Sequence, residues 1–188
     1  MLSLDQIKSL VYKKLGEVSE HRLEHTLGVV EMAEYLALKY NVDPNKAMVA
    51  AYMHDYCKYD DTNNAKDILT SDEIAECEEY PFLYHAYLSA EAYKALGDYD
   101  IDIYNAIKYH VFGRPNMSML EAIIMISDYT EKNRKYESCI ECRKILLDGN
   151  FNYAIYKSIS NTISFCEKEG NKPHPKQIEV LKEYKEKI

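Results

Sequence analysis

An all-α helical bundle is the architecture this sequence predicts, on three observations. Apolar residues recur at spacings of three and four over most of the chain. Most of these runs begin at a capping residue and stop at glycine, proline or asparagine. No stretch of useful length alternates apolar and polar residues, so nothing reads as a half-buried strand. With 188 residues, 47% hydrophobic and 29% charged, the chain is long enough to bury a core and too apolar for disorder. We therefore read residues 1–188 as a single domain.

Leu4, Ile7, Leu10, Val11 and Leu15 form the apolar face of a first helix that should stop at Gly16. Ser19 caps a longer second helix through Leu23, Leu27, Val30, Ala33, Leu36 and Ala37, closing near Asn41. It carries His21 and His25, four apart and so on one face. Asp43-Pro44, a cap followed by proline at the first helical position, starts a third helix. Its apolar body, Ala47 to Met53, runs into His54, Asp55 and Lys58. After the polar loop 60–64 come two brief acidic turns of helix, 65–69 and 72–79, broken by Tyr80-Pro81. Phe82 to Leu96 resumes helical periodicity, with His85 near its start and Gly97 at its end. Asp100 to Tyr109 follows, with His110 just beyond it, and then the turn Gly113-Arg114-Pro115-Asn116. Ser118 and Glu121 have capping-box spacing for the apolar helix Met119 to Ser127, which reaches Asp128. Three more helices, near 137–147, 150–169 and 176–187, are separated by Gly149 and by the loop 170–175. There His174 stands between two prolines and should be exposed.

Composition removes several classes of function. A net charge of −8 argues against nucleic-acid binding through a basic surface. No apolar run approaches the ~20 residues that span a bilayer, and the first residues lack a basic start followed by an apolar stretch. A cytoplasmic protein without membrane contact is expected. The five cysteines are scattered, and the single pair Cys139 and Cys142 has no second pair to complete a zinc site, so free thiols are expected. The run 72–79 reads as a solvated face. Eighteen tyrosines suit packing, while Tyr84, Tyr109 and Tyr129, each beside a motif residue, are placed to meet a nucleoside.

His25, His54, Asp55, His85, His110 and Asp128 fall at the ends or faces of five successive helices, positions that a bundle can bring to one point. Histidine and aspartate without cysteine give a mixed nitrogen and oxygen shell, suited to iron, manganese, zinc, nickel or magnesium. Three of only four arginines, Arg22, Arg114 and Arg134, flank these segments, and Lys58 follows His54-Asp55 by one helical turn. An acidic chain that gathers cations there has the means to bind phosphates.

The succession His21-Arg22-Leu-Glu-His25-Thr26, His54-Asp55-Tyr-Cys-Lys58, Tyr84-His85-Ala86, Tyr109-His110-Val-Phe-Gly113-Arg114-Pro115 and Ser127-Asp128-Tyr129-Thr-Glu131-Lys-Asn-Arg134 resembles the HD-domain metal-dependent phosphohydrolases. It is most similar to their YqeK-type subfamily, from about residue 19 to 165. Lys132 stands where the pattern has proline, and Val111-Phe112 where it has smaller polar residues. The resemblance implies an HD-type bundle closed by the C-terminal helices. It also implies symmetrical cleavage of diadenosine tetraphosphate into two ADP. His25, His54, Asp55 and Asp128 would then hold one divalent metal, iron first, with manganese, nickel, cobalt, zinc or magnesium as alternatives. A second ion would be held through Asp55, His85 and His110, or these two histidines would face the phosphates. Asp55, His85 and His110 are thus the expected catalytic residues. His21, Arg22, Asp55, Lys58, His85, His110, Arg114, Asp128, Tyr129 and Arg134 are the expected substrate contacts. The expected partner is a small dinucleoside polyphosphate or ADP, and the chain itself is a candidate homodimer. Two other readings share the metal site: hydrolysis of another nucleotide, and a regulatory module that binds a nucleotide without turnover.

Overall fold

The structure, a computed structural model, describes residues 2–188. Among them are ten α-helices and no strand. They are α1 (Leu4–Val18), α2 (Glu20–Lys39), α3 (Pro44–Met53), α4 (Ser71–Glu79), α5 (Tyr84–Lys94), α6 (Ile101–Lys108), α7 (Met119–Thr130), α8 (Glu137–Leu147), α9 (Phe151–Lys168) and α10 (Pro175–Glu186). The all-α expectation therefore holds, and so do the caps that predicted it. Ser19 accepts from the Arg22 N–H, Asp43 from those of Asn45 and Lys46, and Ser118 and Glu121 close a capping box on α7.

Local departures have local causes. The first helix does not stop at Gly16 but runs to Val18. Gly16 is not among the left-handed glycines, and the break comes only where Ser19 turns extended, with φ −162°, to cap α2. The two acidic turns resolve into a 3₁₀ turn, Thr62–Asp67, and the true helix α4. Pro81 opens a second 3₁₀ turn, Pro81–Leu83, which feeds α5. Asp128 lies inside the last turn of α7 rather than beyond it.

The core sits around α3 and α7. Helix α3 packs against α1, α2, α5, α6 and α7, and α7 also meets α8 and α9, which in turn packs against α10. Ala47, Ala50, Ala51 and Met53 are fully buried, as are Ile123, Ile124 and Ile126. Small alanines let the neighbours of α3 approach closely, while the isoleucines of α7 fill the space opposite. A second apolar cluster, with Cys77, Leu83, Ala86 and Tyr87, lies under α4 and the start of α5. The two buried central helices both point their C-terminal tips, His54-Asp55 and Asp128, at one place.

Candidate metal centre

Five helices deliver the donors. His25 comes from the second turn of α2, His54 and Asp55 from the turn after α3, and His85 from the first turn of α5. His110 follows α6, and Asp128 lies in α7. Around one pole, His25 Nε2 lies 3.0 Å from Asp128 Oδ1 and 3.8 Å from Asp55 Oδ2, and His54 Nε2 lies 3.4 Å from Asp55 Oδ2. Around the other, Asp55 Oδ1 lies 2.9 Å from His85 Nε2 and 3.8 Å from His110 Nε2. Asp55 faces both poles with one oxygen each. Two groups of three donors, His25 with His54 and Asp128, and His54 with Asp55 and His110, each place their ligand atoms within 4.8 Å of one another.

The donor atoms aim at common points rather than at one another. His25 Nε2, His54 Nε2 and Asp55 Oδ1 are buried and lack an aligned hydrogen bond despite their close neighbours. Buried polar atoms left so are rare and costly. Converging imidazole and carboxylate donors of this kind fit a divalent cation.

The opposite edge of each ring is anchored. His54 Nδ1 donates to Ala51 O at 2.6 Å and His110 Nδ1 to Ile107 O at 2.7 Å, which leaves each Nε2 lone pair pointing inward. His25 Nδ1 is 3.2 Å from Glu131 Oε1. Glu131 is 1% exposed, and its other oxygen accepts the Asn133 N–H at 2.6 Å. It fits because α2 has glycine opposite it: a Cβ on Gly28 would stand 2.2 Å from Glu131 Oε2. Arg134 closes on Asp128, with Nη2 2.7 Å from Oδ1 and Nε 3.1 Å from the carbonyl. Arg143 from α8 then ties down the backbone of this strap, donating to Thr130 O at 2.6 Å and Arg134 O at 2.8 Å.

Electrostatics favour the ligating protonation states. Burial opposes ionisation of Asp55, but the charges and hydrogen bonds of His54 and His85 outweigh it and hold the carboxyl well below its ordinary range. Asp128 is likewise lowered, burial being overcome by Arg134 and His25. Burial, reinforced by the neighbouring His54 and His85, pushes His110 down to about 3. Burial also lowers His85, against the pull of Asp55. His25 is the exception: burial lowers it, but Asp128 and Glu131 prevail and raise it.

The other expected site residues divide. Arg22 Nη1 meets Asp55 Oδ2 at 2.6 Å, and Lys58 Nζ lies 3.2 Å from His85 Nε2, so both cations line the centre. Tyr129 is half-buried beside Asp128. His21 is exposed on the first turn of α2, away from the buried donor set. Arg114 forms a bidentate pair with Glu121, at 2.7 and 2.9 Å, and covers the Tyr109 ring at 4.6 Å. His174 is a correction: it is 4% exposed rather than a loop surface residue. Its ring packs against Tyr80 and Phe112 and bonds Glu76 Oε1 at 3.1 Å, because Pro175 starts α10 and turns the loop back over α4. The run 72–79 is correspondingly only part-solvated, since Glu73 pairs with Lys108 and Glu76 with Tyr87, His174 and Lys176. Glu131 and Arg143 had no role in the sequence reading. Their only signals were an acid three residues after Asp128 and the one arginine remote from every motif.

Comparison with known proteins agrees with this geometry. A family model described as the HD domain matches residues 22–133. A symmetrical bis(5'-nucleosyl)-tetraphosphatase of Bacillus subtilis is 36% identical over 162 residues, covering 85% of this chain and 87% of that one. One of Staphylococcus aureus is 30% identical, covering 97% and 95%. A crystal structure from Clostridium acetobutylicum, described as an HD superfamily hydrolase involved in NAD metabolism, superposes over 100% of both chains with a TM-score of 0.85 and 34% identity. With its histidine and aspartate donors gathered at helix ends and its relatives aligned along most of their length, the chain belongs to the HD-domain family.

Proposed function

We propose that this chain is a metal-dependent hydrolase that cleaves diadenosine tetraphosphate symmetrically into two ADP. The carrying observation is the buried, two-faced Asp55 among unpaired imidazole nitrogens, in a chain aligned nearly end to end with proteins named for that activity. His25, His54, Asp55 and Asp128 would hold the first ion, with iron favoured, and Asp55, His85 and His110 a second. A divalent ion, when bound, supplies a nucleophile near neutral pH and draws charge from a phosphoryl oxygen.

The chain's own residues do the rest. Arg22 and Lys58, both already in contact with the Asp55 and His85 side chains, offset the charge of the phosphates. Arg134 orients Asp128, while His85 and His110, kept neutral by burial, offer lone pairs to an ion. ADP is acidic enough as a leaving group to need little protonation, which fits a site without a strong general acid. Arg114 and His21 would reach the substrate only at its outer end, Arg114 by leaving Glu121. We place the enzyme in the cytoplasm, acting on a small dinucleotide rather than on nucleic acid, with a homodimer as its assembly.

Incubation with diadenosine tetraphosphate across divalent metals, ferrous iron included, should yield ADP alone, and His54→Ala should lose both metal and turnover. AMP plus ATP, or no turnover in any metal, overturns the reading. The description of the Clostridium acetobutylicum relative favours a second reading, hydrolysis of another nucleotide, which a substrate panel separates.

A further inference from the structure

The turn that follows α3 carries His54, Asp55 and Lys58, yet it is only loosely wound. Its own backbone bonds each span three residues: Tyr56 N–H to Met53 O at 3.1 Å, Lys58 N–H to Asp55 O at 3.0 Å and Asp60 N–H to Cys57 O at 3.2 Å. Hydrogen bonds of this kind have poorer geometry than those of an α-helix, so ties from outside fix where the turn points. Two of them reach its middle. Ser89 of α5 accepts the Cys57 N–H at 2.9 Å, and Arg22 of α2 holds Asp55. The third comes from α1. Lys14 Nζ donates to Asp60 Oδ2 at 2.6 Å, lies 3.9 Å from Cys57 Sγ and stands 4.1 Å from the centre of the Tyr56 ring. All three contacts are on the turn, and none is a metal donor.

We propose that Lys14 is a positioning residue for the metal centre: its tether from α1 fixes the turn, and with it the Asp55 carboxylate and the Lys58 amine, against the donors on the other helices. The inference rests on the function proposed above and adds to it a residue that acts through others. Making a thiolate is not the role of Lys14, since burial pushes the Cys57 thiol up to about 12 in spite of it. Nor is bulk stability. The Lys14 and Asp60 side chains are 28% and 35% exposed, and an ion pair so placed adds little to folding. What the pair adds is direction. Tyr56, under the lysine, packs into both apolar clusters. One amine thus grips the end of the turn by charge and its beginning by cation–π attraction. Helix α1 precedes the segment 22–133 that matches the HD domain. The matched segment carries every donor, and the helix before it holds the turn that presents two of them.

Calorimetric binding of manganous ion to the full chain, with hydrolysis of diadenosine tetraphosphate followed in parallel, tests the tether. Lys14→Met keeps the apolar stem and loses the charge. It and Asp60→Asn should each weaken ion binding and lower kcat about 3- to 10-fold, the usual worth of one hydrogen bond, with Tm nearly unchanged. The double variant should do no worse than either single one, since both changes break the same contact. Lys14→Arg, which can still reach Asp60, should recover most of the loss. Wild-type ion affinity and kcat in both single variants overturn the proposal, as do losses that add in the double variant or a fall in Tm with ion binding unchanged. A protein that loses ion affinity through Lys14 and Asp60 in this way yet leaves the tetraphosphate intact refutes the proposed reaction and keeps the tether.

Discussion

Glu131 and Gly28 form one device at the level of single residues. The carboxylate braces His25 from behind, and only the missing side chain of Gly28 makes room for it. Gly28→Ala should therefore push Glu131 off His25, and Glu131→Gln should weaken the brace without moving it. Loss of such supporting contacts typically costs 10- to 100-fold in metal affinity, so we expect values in that range for Gly28→Ala and near its lower end for Glu131→Gln. Metal titration followed by calorimetry is the measurement, and unchanged affinity in both variants would show the brace to be idle. That His25, His54, Asp55 and Asp128 would gather at one place was legible through the resemblance of their order to the HD pattern. Glu131 was not legible, since its role exists only after the 131–134 strap has folded back onto α2. Arg143 was invisible for the same reason: its partners are backbone carbonyls, which leave no trace in residue type.

Helix α10 shows what periodicity omits at the level of elements. Its boundaries were legible from Pro175 and the apolar spacing, but its docking was not, and so His174 was misplaced on the surface. In the structure Glu76 of α4 receives Tyr87 of α5 and both His174 and Lys176 of α10, with Tyr80 and Glu79 nearby. Burial lowers His174, outweighing the attraction of Glu76, and the ring is neutral in the fold. The sign follows from linkage: below the ordinary histidine value of 6.5 the unfolded chain takes up a proton that the folded chain refuses. Stability from this group is complete above 6.5 and is lost as pH falls toward the lower folded value. Glu76 acts in the same direction further down. Burial opposes its ionisation but Lys176 and Tyr87 prevail, so its contribution fades as pH falls below 4.5 toward its lowered folded value. Urea unfolding at pH 7.5 and 5.5 should thus show a loss in the wild type that His174→Gln reduces; an equal loss in both would refute the assignment.

For the molecule as a whole, the bundle and its metal centre are one object. The all-α class and the helix order followed from caps, breakers and spacing, and the convergence of five helices from the ordered histidines and aspartates they carry. The pairing of α3 with α7 at the centre did not, because many packings satisfy the same apolar faces. Since the donors sit on α2, α5 and α7 and at the ends of α3 and α6, a bound ion should stabilise the fold by mass action, about 2.7 kcal/mol at a hundredfold excess over Kd. Added ferrous or manganous ion should raise Tm under anaerobic conditions, and a chelator should reverse the gain. A melting temperature indifferent to both would separate the centre from the fold.

Asp128 and His25 touch across more than half the sequence. An ion seated between them would close a loop that no disulfide in this chain closes, its five cysteines all being free. Such a clasp opens when the ion is withdrawn, with no reductant needed, so the availability of metal would set how long the protein survives as well as how fast it works. Limited proteolysis with and without metal would show the clasp directly, through cuts at the strap and at the turn after α3 that appear only when it is open.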